Sequence, residues 1–199
     1  MTDAGVWMLR HGATTGGEGF RGRTDDELTA AGFDSMAGAV ATIGPVDRVV
    51  TSPLARCRRF AEYFAAGCGI ALEIQPAFAE MDFGAWEGLT AAEVVRTDAD
   101  RLEAFWRDPR AAMPPGGESF AAFEARVVSA VDALNAGSPE RVLVLTHAGV
   151  IRVAAMHAQG RTVDTLFDLD VPHASVHRFD QQRAGGAVPD AASDTARPT

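Results

Sequence analysis

Cysteine is scarce in this sequence. Cys57 and Cys68 are the two thiols among 199 residues, and no Cys-x-x-Cys pair occurs, so neither a disulfide framework nor a zinc site is indicated. No stretch approaches the ~18 uninterrupted apolar residues of a membrane span. The first residues also lack the basic start and apolar run of a secretory signal. These absences predict a cytoplasmic protein with reduced cysteines and no membrane partner.

Positive charge is also in short supply. The chain carries 18 Lys and Arg residues against 27 Asp and Glu residues, which gives a formal net charge of −9. Nucleic acids and anionic membranes bind positively charged surfaces, so we expect neither as a partner. A small phosphorylated ligand remains compatible with this charge, provided that arginine and histidine side chains converge in one pocket.

The rest of the composition, 47% hydrophobic and 23% charged, is typical of a soluble globular protein. A chain of 199 residues is long enough for one domain with a substantial core. From residue 183 to the C-terminus, however, one Val is the sole large aliphatic residue. Such a segment buries too little apolar surface to offset its ordering entropy. We therefore predict a domain at residues 1–180 and a flexible tail at 181–199.

Apolar runs alternate along the chain with stretches in which apolar residues are spaced at helical intervals. Strands are predicted at residues 6–9, 46–51, 71–74, 141–146 and 176–179. Helices are predicted at residues 29–43, 53–66, 91–106, 118–135 and 150–159. Alternation of this kind predicts an α/β fold of the three-layer αβα type, with a mostly parallel sheet covered by helices on both faces.

Cationic side chains follow three of the predicted strands. Arg10 and His11 come after the first strand, Arg56 shortly after the second, and His147 directly after the most apolar one. Ligands bind at the carboxyl ends of the strands in open parallel sheets. We therefore expect these four side chains to meet at one edge of the sheet.

The sequence around Arg56 carries a further local signal. Ser52 is a good N-cap residue, and Pro53 suits the first turn of a helix, where its missing N–H is not needed. Arg56 would then lie in the first turn, at the positive end of the helix. That setting favours an anion.

The Arg-His-Gly sequence at residues 10–12 resembles the signature of the histidine phosphatase, or phosphoglycerate mutase-like, superfamily. The resemblance extends over residues 6–179 and implies the phosphoglycerate mutase-like version of the αβα fold. Five later segments resemble landmarks of that family, in the same order along the chain. They lie at residues 22–29, 52–56, 80–88, 115–119 and 146–152.

The resemblance implies a role for each converging side chain. His11 would be the nucleophile, since a neutral imidazole can attack phosphorus and hold the phosphoryl group. Arg10 and Arg56 would bind phosphate oxygens through charge-assisted hydrogen bonds. His147, in its protonated form, would donate another hydrogen bond. Glu80 would protonate the leaving alcohol and then take a proton from the attacking water.

The resemblance also points to substrate contacts outside the reacting groups. Thr14, Arg23 and Ala148 are expected to bind substrate, and Arg21 and Glu118 are further candidates beyond the phosphate. We expect neither a metal ion nor a cofactor, because the arginines and histidines would already neutralise the phosphate.

Some neighbouring residues leave alternatives open. Asp82 and Glu87 are carboxylates close to Glu80, which ranks first because the family motif places the acid before a Phe-Gly pair. His173 precedes the last predicted strand and is undecided between the site and the surface.

Two departures from the family pattern stand near the signature. Ala13 replaces a Glu that many relatives carry, and Gly16-Gly17 replaces the Trp-Asn of phosphoglycerate mutases. Mutases also carry a long, Arg-rich insertion between the catalytic acid and the last helices. The corresponding segment here, residues 84–118, is short and has few basic side chains. Hydrolysis is therefore favoured over mutase activity.

Among the phosphatases, the sequence near the site most resembles the α-ribazole-5′-phosphate phosphatases of adenosylcobalamin biosynthesis. The resemblance lies at residues 22–26, 56–62 and 105–118. A broad-specificity sugar or nucleotide phosphatase and a phosphoglycerate mutase-like enzyme remain alternatives. So does a non-catalytic relative that binds phosphorylated ligands or a partner protein. The oligomeric state is open, a homodimer included.

Overall fold

The computed structural model describes residues 4–136 and 140–179. Its centre is one five-stranded sheet with the strand order β3-β2-β4-β1-β5. The pairs β1–β4, β2–β4 and β2–β3 are parallel, and β5 pairs antiparallel to β1 at one edge. The strands are β1 (Gly5–Arg10), β2 (Arg48–Thr51), β3 (Ala71–Ile74), β4 (Arg141–Thr146) and β5 (Val176–Phe179).

Helices cover both faces of this sheet. They are α1 (Ala30–Ala41), α2 (Ala55–Cys68), α3 (Ala91–Arg107), α4 (Phe120–Asn135) and α5 (Ala148–Ala158), with short 3-10 helices at Pro76–Phe78, Gly84–Trp86 and Val163–Asp168. The αβα prediction is confirmed.

The side chains of β1 explain why both faces need a cover. Val6 and Met8 belong to a core with α3, α4 and α5, whereas Trp7 and Leu9 belong to a second core with α1 and α2. Successive side chains of a strand point to opposite faces, so an unbroken apolar run is buried on both sides.

The beginning of α2 differs from the prediction. The helix begins at Ala55, Pro53 lies outside it, and its N-cap, Leu54, makes no side-chain cap hydrogen bond. Asp25 Oδ1 accepts from the Ala55 N–H at 2.6 Å instead. The Ser52 N-cap prediction is wrong because a carboxylate 30 residues earlier in the chain caps the helix. The Ser52 hydroxyl instead accepts from the Leu54 N–H at 3.3 Å, outside the helix, and contacts His147.

The other boundaries follow the predictions closely. The strands predicted at 71–74, 141–146 and 176–179 are confirmed residue for residue, and α5 begins two residues earlier than predicted. Both cysteines are free thiols. Across the described residues, no helix combines the length and apolarity that a membrane crossing requires. The tail predicted at 181–199 and the domain end at 180 lie outside the described residues.

Candidate active site

The carboxyl ends of β1, β2 and β4 bring the predicted cationic side chains together. Arg10 ends β1 and His11 follows it, while His147 follows β4 and is the N-cap of α5. The ring centroids of His11 and His147 are 5.2 Å apart. Gly12 permits this arrangement, because a Cβ at that position would overlap the backbone of Gly32 in α1.

His11 is buried, with 6% of its surface exposed. Its Nδ1 donates to the carbonyl oxygen of Gly12 at 2.8 Å, which assigns the proton to Nδ1 and leaves the lone pair on Nε2. Burial, and next the positive charge of Arg56, lower the pKa of His11 well below its ordinary value. The imidazole is therefore neutral at neutral pH, which is the state that a nucleophile requires.

His147 lies beneath this site and has no exposed surface. Its Nδ1 accepts from Arg56 Nε–H at 3.3 Å, so the proton of the ring is on Nε2, which donates to Ser52 Oγ at 2.7 Å. Burial, and next the charge of Arg56, lower the pKa of His147 well below its ordinary value. His147 is therefore neutral in this structure, and its role as a protonated hydrogen-bond donor to substrate stays a prediction.

Arg56 is completely buried and organises the neighbouring loop. Besides His147, it donates to the carbonyl oxygens of Arg21 and Gly22 at 2.8 Å and of Thr24 at 2.7 Å. Four of its five N–H donors are thus used within the protein, and one on Nη1 remains. Its role as a phosphate ligand stays a prediction.

Arg10 is held by the loop that precedes β5. It donates from Nη1 to Val171 O at 2.5 Å and from Nη2 to His173 Nε2 at 3.0 Å. Within the described part of the chain, its buried Nε has no hydrogen-bond partner. Burial lowers the pKa of Arg10. These two bonds leave one N–H on each Nη, and Arg10 lines the same cavity as His11, where these donors can bind an anion.

Glu80 is also buried beside the site, with 7% of its surface exposed. Its Oε1 accepts from the Met81 N–H and its Oε2 from the Gly149 N–H, both at 3.0 Å. Gly149 lies in the first turn of α5, where backbone N–H groups have no partner within the helix. The helix that follows His147 therefore also holds the carboxylate of Glu80.

The two alternative carboxylates are engaged elsewhere. Asp82 Oδ1 accepts from the Gly84 N–H at 2.8 Å. Glu87 accepts from the backbone N–H groups of Arg23, Thr24 and Phe83 and from the Thr24 hydroxyl. Burial alone would raise the pKa of Glu87, but these hydrogen bonds together lower it. Both carboxylates therefore stabilise the loops around the site.

A cavity of about 460 Å³ opens at His11 and Glu80. Its lining includes Arg10, Arg152 and His173 and the predicted contacts Thr14, Arg21 and Ala148. The remaining wall is rich in aromatic side chains. They are Phe20, Phe83, Phe105, Trp106, Phe120, Phe123 and Phe167.

Two of the sequence candidates lie away from this cavity. Arg23 is exposed and is not among the described residues that line it. Glu118 is likewise absent from the described lining, and its carboxylate binds Arg126 at 2.8 Å. The expected contact of Arg23 with substrate stays a prediction, whereas Glu118 has a protein partner.

Sequence reasoning missed Arg152. It donates from Nε to Leu169 O at 3.0 Å, lines the cavity, and has its pKa lowered by burial. A signal was available, because Arg152 follows Ala148 by four residues, and i and i+4 share one face of a helix. His173, left undecided by the sequence, lies at the site, with its ring centroid 5.4 Å from that of His11.

No group of three or more His, Cys, Asp and Glu side chains in residues 4–136 and 140–179 is arranged to hold a metal ion. Cys57 contacts the site at His147, with its Sγ 3.7 Å from His147 Nε2. Burial raises the pKa of the Cys57 thiol to about 12. It is therefore a protonated, inert neighbour of the histidine.

Comparisons with known proteins find relatives of this chain. The family described as histidine phosphatase superfamily (branch 1) matches residues 6–192 of the chain. The chain is 33% identical over 181 residues to the bifunctional protein Rv2228c of Mycobacterium tuberculosis, with 88% of this chain and 50% of that protein covered. It thus spans about half the length of the first curated relatives that it matches.

Two further relatives match this chain over most of the length of both proteins. The adenosylcobalamin/alpha-ribazole phosphatase of Salmonella typhimurium is 32% identical over 152 residues, which cover 73% of this chain and 75% of that one. The crystal structure of the alpha-ribazole phosphatase from Shigella flexneri has a TM-score of 0.77 at 25% identity and covers 88% of this chain and 90% of its own.

Proposed function

Because this chain belongs to the histidine phosphatase superfamily, branch 1, we propose that it hydrolyses phosphomonoesters through a phosphohistidine formed on His11. The observation that carries the proposal is the state of His11. It is neutral, its Nδ1–H is fixed by Gly12 O at 2.8 Å, and Nε2 keeps its lone pair at the wall of a cavity that also contains Glu80.

The reaction runs in two steps. His11 Nε2 attacks phosphorus, the bond from phosphorus to the ester oxygen breaks, and Glu80 gives a proton to the departing alcohol. Water then attacks the phosphohistidine, Glu80 takes a proton from it, the bond from nitrogen to phosphorus breaks, and inorganic phosphate leaves. Arg10 binds the phosphate oxygens and stabilises their charge in both steps.

The proposed substrate is α-ribazole 5′-phosphate, whose dephosphorylation is a step of adenosylcobalamin biosynthesis. Two observations support it: the similarity to phosphatases named for that compound, and the aromatic wall of the cavity. Stacking of a base on an aromatic side chain contributes about 1–3 kcal/mol, so a flat aromatic base on the leaving group suits this wall. Broad-specificity hydrolysis of sugar or nucleotide phosphates is the second candidate, since related sites serve many phosphoesters.

The test is phosphate release from a panel containing α-ribazole 5′-phosphate, 3-phosphoglycerate, sugar phosphates and nucleotides, with His11→Ala as the control. We expect α-ribazole 5′-phosphate to lead in kcat/KM by about 100-fold or more. A flat profile that disappears in His11→Ala would retain the histidine phosphatase and reject the substrate. Phosphate transfer without hydrolysis would point to a mutase, and no reaction at all to a binding protein.

A further inference from the structure

Arg126 lies outside the cavity, yet its guanidinium is bound on every side. It projects from α4 with 20% of its side chain exposed. Its Nε and Nη2 donate to the two carboxylate oxygens of Glu118 at 2.8 and 2.9 Å. The remaining donors reach the carbonyl oxygens of Ala77 and Ala79 at 2.7 Å and of Glu80 at 3.0 Å. All five N–H groups of Arg126 are therefore used.

Glu118 connects the same guanidinium to the other side of the loop. Its backbone N–H donates to Asp82 O at 2.9 Å, and its Oε2 accepts from the Asp82 N–H at 3.4 Å. Burial alone would raise the pKa of Glu118, but the hydrogen bond and charge of Arg126 lower it. Glu118 is thus a carboxylate that binds Arg126 and the loop.

The segment held in this way is the one that carries Glu80. Between residues 77 and 82, five of six backbone carbonyls accept a hydrogen bond: three from Arg126, one from Thr146 Oγ at 2.8 Å and one from the Glu118 N–H. Displacing this segment relative to α4 would break several hydrogen bonds of Arg126 at once and leave the charged guanidinium without those partners.

We infer that Arg126 is a positioning residue, which together with Glu118 fixes the backbone from which Glu80 reaches the leaving group. The inference rests on the proposed hydrolysis. The N–H groups of Met81 and Gly149 hold the carboxylate end of Glu80, and Arg126 holds the backbone end. Proton transfer requires a separation of about 2.6–3.2 Å, and a displacement of about 1 Å can lower a rate by about 100-fold.

The test compares two esters of similar shape, 4-nitrophenyl phosphate and phenyl phosphate. The 4-nitrophenolate departs as a stable anion and needs little protonation, whereas phenolate depends on the proton of Glu80. In Arg126→Lys, which keeps the charge but loses the fork of donors, we expect kcat/KM for phenyl phosphate to fall by about 100-fold. The fall for 4-nitrophenyl phosphate is expected to be at least about 10 times smaller.

A matched control is Arg110→Lys. Arg110 lies between α3 and α4 and pairs with Glu124 of α4 at 2.6 Å on the exposed surface, and we expect wild-type kinetics on both esters. In a Glu80→Gln background, Arg126→Lys should lower kcat/KM equally for the two esters, because the carboxyl group that Arg126 positions is absent. If Arg126→Lys does not fold, Glu118→Gln makes the same comparison with a side chain of unchanged shape.

An equal loss on both esters, or a selective loss that persists in the Glu80→Gln background, would overturn the inference. Failure of the wild-type protein to hydrolyse either ester would instead overturn the proposed function. The two failures are therefore distinguishable.

Discussion

Two histidines at the centre of the site are neutral for the same reason but use their nitrogen atoms differently. In both, burial is the largest cause of the lowered pKa, and Arg56 is the next. His11 directs Nδ1–H to Gly12 and keeps Nε2 for chemistry, whereas His147 uses both nitrogens for Arg56 and Ser52. The residue types were readable from the sequence. Their protonation states could not be predicted from the sequence, because they depend on how deeply each ring is buried.

Neutral burial of these histidines makes stability depend on pH. Because their pKa values are lower in the folded protein, the unfolded chain binds more protons below its histidine pKa of about 6.5. The free energy of unfolding is therefore expected to fall as the pH drops from about 6.5 towards the folded pKa values, by up to about 1.4 kcal/mol per pH unit for each histidine.

Urea unfolding between neutral and mildly acidic pH measures this slope. His147→Gln, which cannot titrate, should make the slope shallower. Gly38→Ala, which alters no titratable group and whose Cβ would meet nothing within 4 Å, serves as the control and should leave the slope unchanged. An unchanged slope in His147→Gln would contradict the neutral, buried state of that residue.

Gly149 offers a second prediction at the residue scale. A Cβ at this position would overlap Glu80 Oε1, so Gly149→Ala must displace the carboxylate. We expect kcat/KM for alkyl phosphates to fall by about 100-fold while the fold is retained. In Gly38→Ala, whose Cβ would meet nothing within 4 Å in α1, we expect unchanged kinetics and a gain in stability of about 1 kcal/mol. Wild-type kinetics in Gly149→Ala would contradict the assigned position of Glu80.

Among the elements, α5 and the loop before α1 do most to assemble the site. The helix begins directly after His147, so a single turn supplies Ala148 to the cavity and the Gly149 N–H to Glu80. The loop, residues 11–29, contains no helix or long strand. Its backbone is held by hydrogen bonds to Arg56 and to Glu87.

Removal of Glu87 tests this description of the loop. Glu87→Ala removes the acceptor for three backbone N–H groups and one hydroxyl. We expect the free energy of unfolding to fall by about 2–3 kcal/mol. Glu103→Ala breaks an exposed pair with Arg107 and should change it by no more than about 0.5 kcal/mol. Equal effects of the two substitutions in chemical unfolding would show that Glu87 does not hold the loop.

Local sequence signals predicted the elements better than their capping. The predicted bounds of β3, β4 and β5 match the structure residue for residue. The apolar run of β4 reflects its burial on both faces, whereas β3 and β5 are edge strands that are exposed or half-buried. The start of α2 was not predictable in this way, because Asp25 caps it from another part of the chain. Ser52 is a residue type that caps helices, but its hydroxyl contacts His147 and the Leu54 N–H, outside the helix.

At the scale of the whole molecule, the sheet order explains how distant residues meet. The strands β2, β4 and β1 are adjacent and parallel, so their carboxyl ends place Arg56, His147 and His11 together. This part of the site follows from strand alternation alone. The aromatic wall does not, since it combines loops and helices from five regions of the chain, and their meeting depends on packing that no local pattern encodes.

The central claim is that His11 carries the phosphoryl group during turnover. The direct measurement is mass spectrometry of protein mixed rapidly with substrate and quenched in base, in which phosphohistidine survives. With 4-nitrophenyl phosphate, whose leaving group needs little protonation, we expect one phosphoryl group on His11 in the wild-type protein and none in His11→Ala. We expect more of the adduct in Glu80→Gln, because its hydrolysis loses the base that takes a proton from water. Hydrolysis by wild-type protein without that adduct, or an adduct that persists in His11→Ala, would contradict the account.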